Sequence, residues 1–373
     1  MRTTRFISIP ALLCILALCS GCLVTPTVAN ESAPIMRSLP VEVPEMEPSF
    51  TLSQLQFSPD GKRFLEARHY TFANLYSTET GKLLWSFDER GHNFRGLGFI
   101  DDDTFFIGTR AFLNTGADVK RDLRQITFHS ISAPAQSNTY EFPDGRDKEM
   151  LVRGNHVYYD AQLLDRRDGR IQRVITAHAY GPPAHLMADG KVLTLAHGQM
   201  VLFDPATDDY QHWRTESGIF LVSASERFVL TLADNGSCSV WSLPSTARIE
   251  SCSFPSFFRS EDAYAQAVHP HRERFAVAWG DILRVYDLEP FQLVFERTLE
   301  SEVTGLTFSQ GNLLAVAQRG GRILVWNLDE ARLLGRYDFN YDRLSISNEL
   351  LQFSPDGRRL LTGAHAPVLL EVP

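Results

Sequence analysis

Short apolar runs rich in β-branched and aromatic residues, separated by polar turns, fill the chain from about residue 40 onward. The segment Arg322–Trp326 (RILVW) is typical, because its β-branched and aromatic residues suit a strand buried between neighbouring sheets. Long stretches of helical periodicity are absent from the sequence. The pattern therefore predicts an all-β fold.

One turn sequence occurs twice, near the two ends of this region. Phe57–Leu65 (FSPDGKRFL) returns as Phe353–Leu361 (FSPDGRRLL). Its Pro-Asp-Gly core is a turn with a physical basis, because proline fixes φ and glycine adopts a positive φ without strain. Between the two copies the same order recurs in weaker form, and each unit has a third strand with an aromatic residue and often an acid. These third strands are Leu75–Thr78, Leu202–Pro205, Val240–Leu243, Val285–Leu288 and Val325–Leu328.

The steps between third strands run to roughly 40 residues, the period of a four-stranded propeller blade. These residues resemble the WD-repeat family over about residues 40–373. The resemblance implies a single β-propeller, although a Gly-His pair occurs clearly only at Gly91-His92 and no third strand ends in Trp-Asp. Eight blades are expected, with first strands beginning near Leu55, Leu97, Met150, His185, Phe220, Gln266, Gly305 and Leu350. Seven are expected if the weak unit at 150–178 is only an elaboration.

The last unit supplies only about three strands before Pro373, so a fourth must come from elsewhere. Ile35–Glu45, which contains the alternating segment Ser38–Val43, is the expected donor. An N-terminal strand beside the last blade closes the ring and removes the open sheet edges that invite aggregation.

The first residues have the layout of an export signal. Arg2 and Arg5 precede an uncharged apolar run, Phe6–Leu18, which is too short to cross a membrane as a helix. The run ends in Leu18–Cys22 (LCSGC), which resembles a bacterial lipobox. The resemblance implies that Cys22 receives diacylglycerol and becomes the new N-terminus, and that Leu23 directs the protein to the outer membrane. Simple secretion, with cleavage after Ala29, is the alternative.

Three regions follow from these patterns. Residues 1–21 are expected to be a signal peptide, residues 22–36 a lipid-anchored flexible tether, and residues 37–373 the propeller. The predicted location is the bacterial cell envelope, as an outer-membrane lipoprotein that faces the periplasm.

The charge balance argues against nucleic acid as a partner. The hydrophobic and charged fractions, 44% and 22%, are those of an ordinary globular protein, and the net charge is −9. An acidic chain without a run rich in lysine and arginine is poorly suited to phosphate backbones.

Beyond the signal segment the chain has two cysteines, Cys238 and Cys252. In an exported protein such a pair is interpreted first as a disulfide. If Leu243 and Ala247 flank a three-residue turn, Trp241 opposes Ile249 and the two cysteines oppose each other, which is close to bonding geometry. Two buried free thiols are the alternative.

The search for catalytic chemistry assigns no catalytic, cofactor-binding or metal-binding residue. The histidines His269 and His271 lie in a turn where other repeats have Ser-Pro-Asp, and no further ligand has the spacing of a metal site. The adjacent acids Asp101–Asp103 lack the alternation of a calcium loop. Thr80–Trp85 resembles the blade ending of pyrroloquinoline-quinone propeller enzymes, which repeat it around the ring, but here it occurs well only once.

Two irregular stretches are candidates for partner contact. The first is an insertion at about Arg110–Asp122, between the second and third strands of its unit, and the second is Phe254–Tyr264, before the sixth unit. By resemblance, both emerge on one face of the disk. Aromatic residues with arginine on loops are typical of binding hot spots, although Phe257 and Phe258 can instead pack between blades. The candidate residues are Phe112, Lys120, Arg121, Phe257, Phe258, Arg259 and Tyr264.

The predicted function is a non-catalytic envelope scaffold that binds one or more other envelope proteins, with a monomer as the default state. Its anchor and architecture resemble those of the propeller lipoprotein of the outer-membrane protein assembly machinery. The alternative is a propeller enzyme, similar to a lactonase or quinoprotein, with its site in the central funnel. A glycan-reading face is a third possibility without positive support.

Overall fold

The structure is a computed structural model. It describes residues 33–44, 52–68, 72–88, 92–114, 120–133, 137–143, 150–153, 156–159, 162–165, 171–174, 184–196, 198–215, 219–233, 236–243, 245–253, 264–339, 346–347 and 350–373. The predicted lipidation site Cys22 lies outside these residues. Within them, no helix is both long and apolar enough to cross a membrane.

The described residues form eight antiparallel sheets of four strands each. The short strand β1 (Ser38–Leu39) belongs to the last of them. The first sheet comprises β2 (Leu52–Phe57), β3 (Arg63–Arg68), β4 (Phe72–Ser77) and β5 (Leu83–Asp88). The second comprises β6 (His92–Phe99), β7 (Thr104–Asn114), β8 (Lys120–Ser130) and β9 (Ser137–Pro143). The third comprises β10 (Met150–Arg153), β11 (His156–Tyr159), β12 (Gln162–Asp165) and β13 (Ile171–Val174). The fourth comprises β14 (Ala184–Leu186), β15 (Val192–Ala196), β16 (Gln199–Asp204) and β17 (Asp209–Arg214).

The other half of the molecule repeats this arrangement. The fifth sheet comprises β18 (Ile219–Val222), β19 (Phe228–Leu232), β20 (Ser237–Ser242) and β21 (Ala247–Ser253). The sixth comprises β22 (Tyr264–Val268), β23 (Arg274–Trp279), β24 (Ile282–Leu288) and β25 (Phe291–Thr298). The seventh comprises β26 (Val303–Phe308), β27 (Leu313–Gln318), β28 (Arg322–Asn327) and β29 (Arg332–Asp338). The eighth comprises β30 (Leu351–Phe353), β31 (Arg359–Gly363), β32 (Pro367–Glu371) and β1.

The sheets are the blades of a propeller, and successive blades pack face to face. The expected starting points of the first strands fall within the observed ones, apart from Leu350, which directly precedes β30. The first strands of successive blades contact one another, for example β22 with β26 and β26 with β30, so they lie on the inner side. Apolar clusters fill the spaces between blades: one joins Leu65 and Leu75 of the first blade to Phe105 of the second. Burial on two faces explains why a strand such as β19 (FVLTL), which is buried at every position, is almost continuously apolar.

Glutamine side chains link the inner strands of three neighbouring blades. Gln54 of β2 donates to the carbonyl of Leu97 on β6 (2.8 Å) and accepts from the Leu97 N–H (3.1 Å). Gln352 of β30 accepts from the N–H of Phe57 at 2.6 Å. These side chains satisfy backbone groups that no strand of their own sheet reaches, as buried polar groups require.

An N-terminal strap, residues 33–44, runs along the outer strands of the seventh, eighth and first blades. Ile35 forms a parallel bridge with Arg336 of β29, and β1 pairs with β32 in the position that the sequence predicts for an N-terminal strand. Farther on, the N–H of Glu42 donates to the carbonyl of Gly81 at 2.8 Å. Contacts therefore begin before residue 37, the predicted boundary between tether and propeller.

Met36 fixes the start of this strap to the seventh blade. It is only 3% exposed, although its neighbour Ile35 is 73% exposed. The position opposite Met36 is Gly335, where an added Cβ would lie 2.8 Å from Met36 Cγ. The absence of a side chain at residue 335 thus makes room for the methionine.

Replacing this buried side chain is expected to weaken the fold. We predict that Met36→Ala lowers the free energy of unfolding by about 2 kcal/mol or more, because truncation leaves a cavity at the edge of the core. Urea denaturation followed by circular dichroism measures the change. The matched control is Ile35→Ala, for which we expect a change within about 0.5 kcal/mol. Equal effects of the two substitutions would contradict a packing role for Met36.

Candidate interaction surfaces

In each blade the start of the first strand, the connection between the second and third strands and the end of the fourth strand lie at one end of the sheet. We call the surface formed by these ends the loop face; among the described residues it includes the turn glycines Gly198, Gly236, Gly280 and Gly320. Each has a positive φ, between 56° and 94°, which glycine adopts without strain. The connections between second and third strands are therefore tight turns in the fourth to seventh blades.

The second blade departs from this pattern on the same face. The predicted insertion is a continuation of β7 and β8, which stay paired as far as Asn114 and Lys120. Among the described residues, pairing of β6 with β7 extends only to Ala111, and pairing of β9 with β8 only to Leu123. The last three residue pairs therefore form a two-stranded ribbon that extends about 10 Å beyond the sheet. Phe112, Lys120 and Arg121 lie in this ribbon.

Of the other predicted contact residues, Tyr264 is the first residue of β22 and lies on the loop face, whereas Phe257, Phe258 and Arg259 fall outside the described residues. Three blades, the third to the fifth, separate Tyr264 from the ribbon of the second blade. Tyr264 and the ribbon thus share a face but do not form one patch.

The opposite face carries the turns between first and second strands, and a side-chain acceptor organises them. In the first blade Ser58 Oγ accepts from the N–H of Arg63 at 3.0 Å and donates to Asp60 at 2.7 Å. Ser354 in the eighth blade repeats both contacts, with Arg359 and Asp356. The repeated turn sequence therefore encodes a repeated hydrogen-bond network.

His269 takes the place of this serine in the sixth blade. Its side chain is fully buried, and Nδ1 accepts from the backbone N–H groups of His271 (3.1 Å) and Arg272 (3.0 Å). The ring also packs against Phe308, with centroids 5.2 Å apart. Burial, followed by the charges of Arg272 and Arg274, lowers the pKa of His269 from 6.5 to about 4. The imidazole is thus a neutral turn acceptor, and its Nδ1 lone pair is already engaged.

Among the described residues, no group of three or more histidine, cysteine, aspartate or glutamate side chains has the arrangement of a metal site. Asp103, within the acidic triplet, organises a turn instead. Its carboxylate accepts from Ser130 Oγ at 2.8 Å and from the N–H of Ser132 at 3.0 Å, and these contacts lower its pKa.

Glu226 is a polar link between three blades that the sequence did not reveal. It occupies the turn position of Gly61 and has a positive φ of 59°, an uncommon conformation for a residue with a side chain. Its carboxylate pairs with Arg153 of the third blade and accepts from the N–H of Ala188 at 3.0 Å. His185 Nε2 lies 3.4 Å away, and burial lowers the pKa of this histidine. The sequence feature that could have revealed Glu226 is a charged residue at a turn position that favours glycine.

The two cysteines face each other in the fifth blade. Cys238 on β20 pairs with Cys252 on β21, with Cα atoms 4.9 Å apart, and the structure joins them in a disulfide. The rest of the expected register is wrong near the turn. Trp241 pairs with Arg248 rather than Ile249, because a bulge follows Val240 and the connection is one residue longer than expected. A bulge places two residues opposite one, which restores the cysteine pairing.

Comparison with known proteins supports the architecture and does not assign a family. No family model matches the chain, and no curated protein matches it. By contrast, 1379 chains of known structure do. One is the C-terminal WD40 domain of Sif2, with a TM-score of 0.67 and 12% identity over 91% of this chain and 99% of that one. Another is the computationally designed Ika8 protein, with a TM-score of 0.64 and 16% identity over 87% and 96% of the two chains.

At these identities the similarity shows the fold alone. The chain has a WD40-like β-propeller fold. Such propellers are typical protein-interaction scaffolds, but one fold hosts many functions, so the function must be argued from surfaces.

Because His269 is buried as a neutral imidazole, we predict that the folded protein loses stability at acidic pH. Above pH 6.5 His269 is neutral in both folded and unfolded states; between pH 6.5 and about 4 only the unfolded chain binds the proton, so stability falls as the pH falls. We predict that His269→Ser, which restores the serine of other turns, removes up to about 3 kcal/mol of this pH-dependent loss. Urea denaturation at pH 7, 5.5 and 4.5 measures it. His271→Ser, at an exposed position, is the control, and the same pH profile in wild type and His269→Ser would rule out the assignment.

Proposed function

We propose that the protein is a non-catalytic scaffold of the bacterial cell envelope, which binds another envelope protein through the loop face. The observation that carries this proposal is the ribbon formed by the ends of β7 and β8, which extends beyond the described residues of β6 and β9 on either side of it. Binding residues occur disproportionately on connections that a rigid framework holds in position. The ribbon offers a partner a sheet edge, to which an extended segment can add as a further strand.

The inner strands favour a structural role over a catalytic one. Enzymes built on propellers use polar side chains from several first strands at the centre. Here Gln54, Gln56 and Gln352 of those strands hydrogen-bond to the backbone of the neighbouring blade. Side chains engaged in this way hold blades together and are not available to bind a substrate.

The anchor in this proposal is a lipid on Cys22, for which the support is the sequence LCSGC after the apolar run. The strap first contacts the propeller at the outer edge of the seventh blade, through residues 33–36. A tether of about ten residues spans at most about 35 Å. Entry at the outer edge keeps the tether away from the ribbon on the second blade, so membrane attachment and partner binding are compatible.

The anchor is tested by Cys22→Ser. We expect wild type to fractionate with outer membranes and to carry the mass of a diacylglyceryl modification, whereas Cys22→Ser loses both. Intact mass spectrometry and membrane fractionation measure them, with Cys19→Ser as the matched control in the same segment. A variant that remains membrane-bound with an unchanged lipid mass would contradict lipidation at Cys22.

The interaction surface is tested by crosslinking in the native membrane. A photoreactive residue replaces Phe112 in the ribbon, and the control position is Thr207, which is exposed in the turn between β16 and β17 on the opposite face. We expect one recurrent envelope protein to be trapped at residue 112 and not at residue 207, as mass spectrometry will show. No crosslink at residue 112 in a folded, membrane-bound protein, or equal crosslinking at both sites, would refute the role of the ribbon.

A further inference from the structure

We propose that a cleft between the fourth and fifth blades binds an acidic peptide segment of the partner protein, with Arg214 and Arg248 as its carboxylate-binding residues. This inference rests on the proposed scaffold function and names a second contact site for it. The cleft has a volume of about 760 Å³, within the range of ligand sites.

The cleft extends along the outer strands of the two blades, from the loop face toward the opposite face. Its wall on the fourth blade consists of the start of β16, at Gln199, and the end of β17, at Arg214 and Thr215. Its wall on the fifth blade consists of β20 and β21, including Ser239, Trp241 and Arg248. Arg214 ends β17 and lies at the loop face, whereas Arg248 follows the turn between β20 and β21 and lies nearer the opposite face. A partner that contacts the ribbon of the second blade can therefore reach the cleft at its Arg214 end.

The two arginines give the cleft its chemical character. Both are exposed at the surface, and none of the described residues that line the cleft is acidic. Within the described part of the chain, neither guanidinium pairs with a carboxylate. Arginines elsewhere do, as in the pairs Arg274–Asp287, Arg284–Glu296 and Arg322–Asp338. Because guanidinium groups bind carboxylates through two parallel hydrogen bonds, an acidic side chain is the ligand group that fits best.

Trp241 adds an apolar surface that is held in place before binding. Its Nε1 donates to Thr231 Oγ1 at 2.9 Å, and its ring lies 6.4 Å from that of Trp213, centroid to centroid. Tryptophan and arginine are the residues most enriched at energetic hot spots of protein interfaces. A side chain that is already fixed loses little conformational entropy when a ligand binds.

A disulfide crosslinks the two strands that form the wall of the cleft on the fifth blade. The disulfide between Cys238 and Cys252 joins β20 to β21 at the loop-face end, beside Ser239 and Ser251. Serine hydroxyls at this position can donate to the carbonyl groups of an extended chain. The combination of two arginines, one fixed indole and several hydroxyls suits a peptide with one or two acidic residues more than an apolar ligand.

The net charge of the chain, −9, affects how an acidic segment can bind. A chain of this charge repels acidic partners at long range, so binding of an acidic segment must come from short-range contacts in the cleft. Neutralising two arginines should then abolish the preference for acidic sequences rather than reduce it slightly.

The test is peptide selection with purified full-length protein. A phage-displayed library of random heptapeptides is panned against wild type and against the double variant Arg214→Gln/Arg248→Gln. We expect aspartate and glutamate to be enriched among peptides captured by wild type and not by the double variant. The same acidic content in both captured sets would overturn the proposal.

Affinity measurements on the selected peptide complete the test. Each single substitution, Arg214→Gln or Arg248→Gln, is expected to weaken binding about tenfold in fluorescence anisotropy, the size expected for one charged hydrogen-bonded contact. The matched control is Arg332→Gln, at an exposed arginine on the outer strand of the seventh blade. An equal loss in the control would mean that net charge, and not the cleft, determines binding.

Two further outcomes separate this inference from its alternatives. If trigalacturonate binds in an arginine-dependent manner and no acidic peptide is selected, the cleft recognises acidic glycans and the peptide proposal is wrong. If crosslinking at residue 112 traps a partner but panning shows no acidic preference, the scaffold function stands and the cleft proposal falls. If panning succeeds without that crosslink, the cleft is a peptide site and the role of the ribbon falls.

Discussion

The junction between the first and the eighth blades is the constraint on which the rest of the structure depends. Every other pair of neighbouring blades is consecutive in the chain, but here Gln352 must reach Phe57, 295 residues away. Bringing such distant segments together costs loop-closure entropy, which the contacts at the junction offset. The hydrogen bond between Gln352 and Phe57 joins the inner strands of the two blades. Farther from the centre of the propeller, Arg359 donates to the carbonyl of Thr78 at 2.5 Å. The strap then crosses the outer edge, so inner and outer sides are both joined.

The turns show how one structural requirement is met by different residues. In the first, fifth, seventh and eighth blades, the turn between the first and second strands combines a buried serine acceptor with a residue of positive φ. Ser58 and Gly61 fill these positions in the first blade, His269 replaces the serine in the sixth, and Glu226 has the positive φ in the fifth. The cost of a left-handed glutamate is of order 1 kcal/mol, and its carboxylate links two further blades in return. The repeats therefore differ in sequence partly because different residues can meet the same structural requirement.

The period and the turn sequences predicted the blades, the inner-strand positions and the N-terminal strand, because these depend on local patterns that repeat. The surfaces that join different blades were not predictable. Arg214 and Arg248 are 34 positions apart in sequence, and nothing in their local sequence indicates a shared cleft. The bulge after Val240 shifted Trp241 by one partner, since turn length between two strands is weakly encoded when no glycine fixes it. Local rules determine a blade, whereas contacts between blades depend on the assembled ring.

Among the described residues, the two faces of the propeller carry different features. The turns on the opposite face are tied down by internal hydrogen bonds to residues such as Asp60 and Asp356, which leaves their carboxylates engaged. The loop face instead carries the ribbon of the second blade and the Arg214 end of the cationic cleft, two features that the blade architecture does not require. A propeller needs its inner strands and turns to remain regular in order to pack, and it tolerates variation where strands end. The ribbon and the Arg214 end of the cleft therefore lie where the fold tolerates variation.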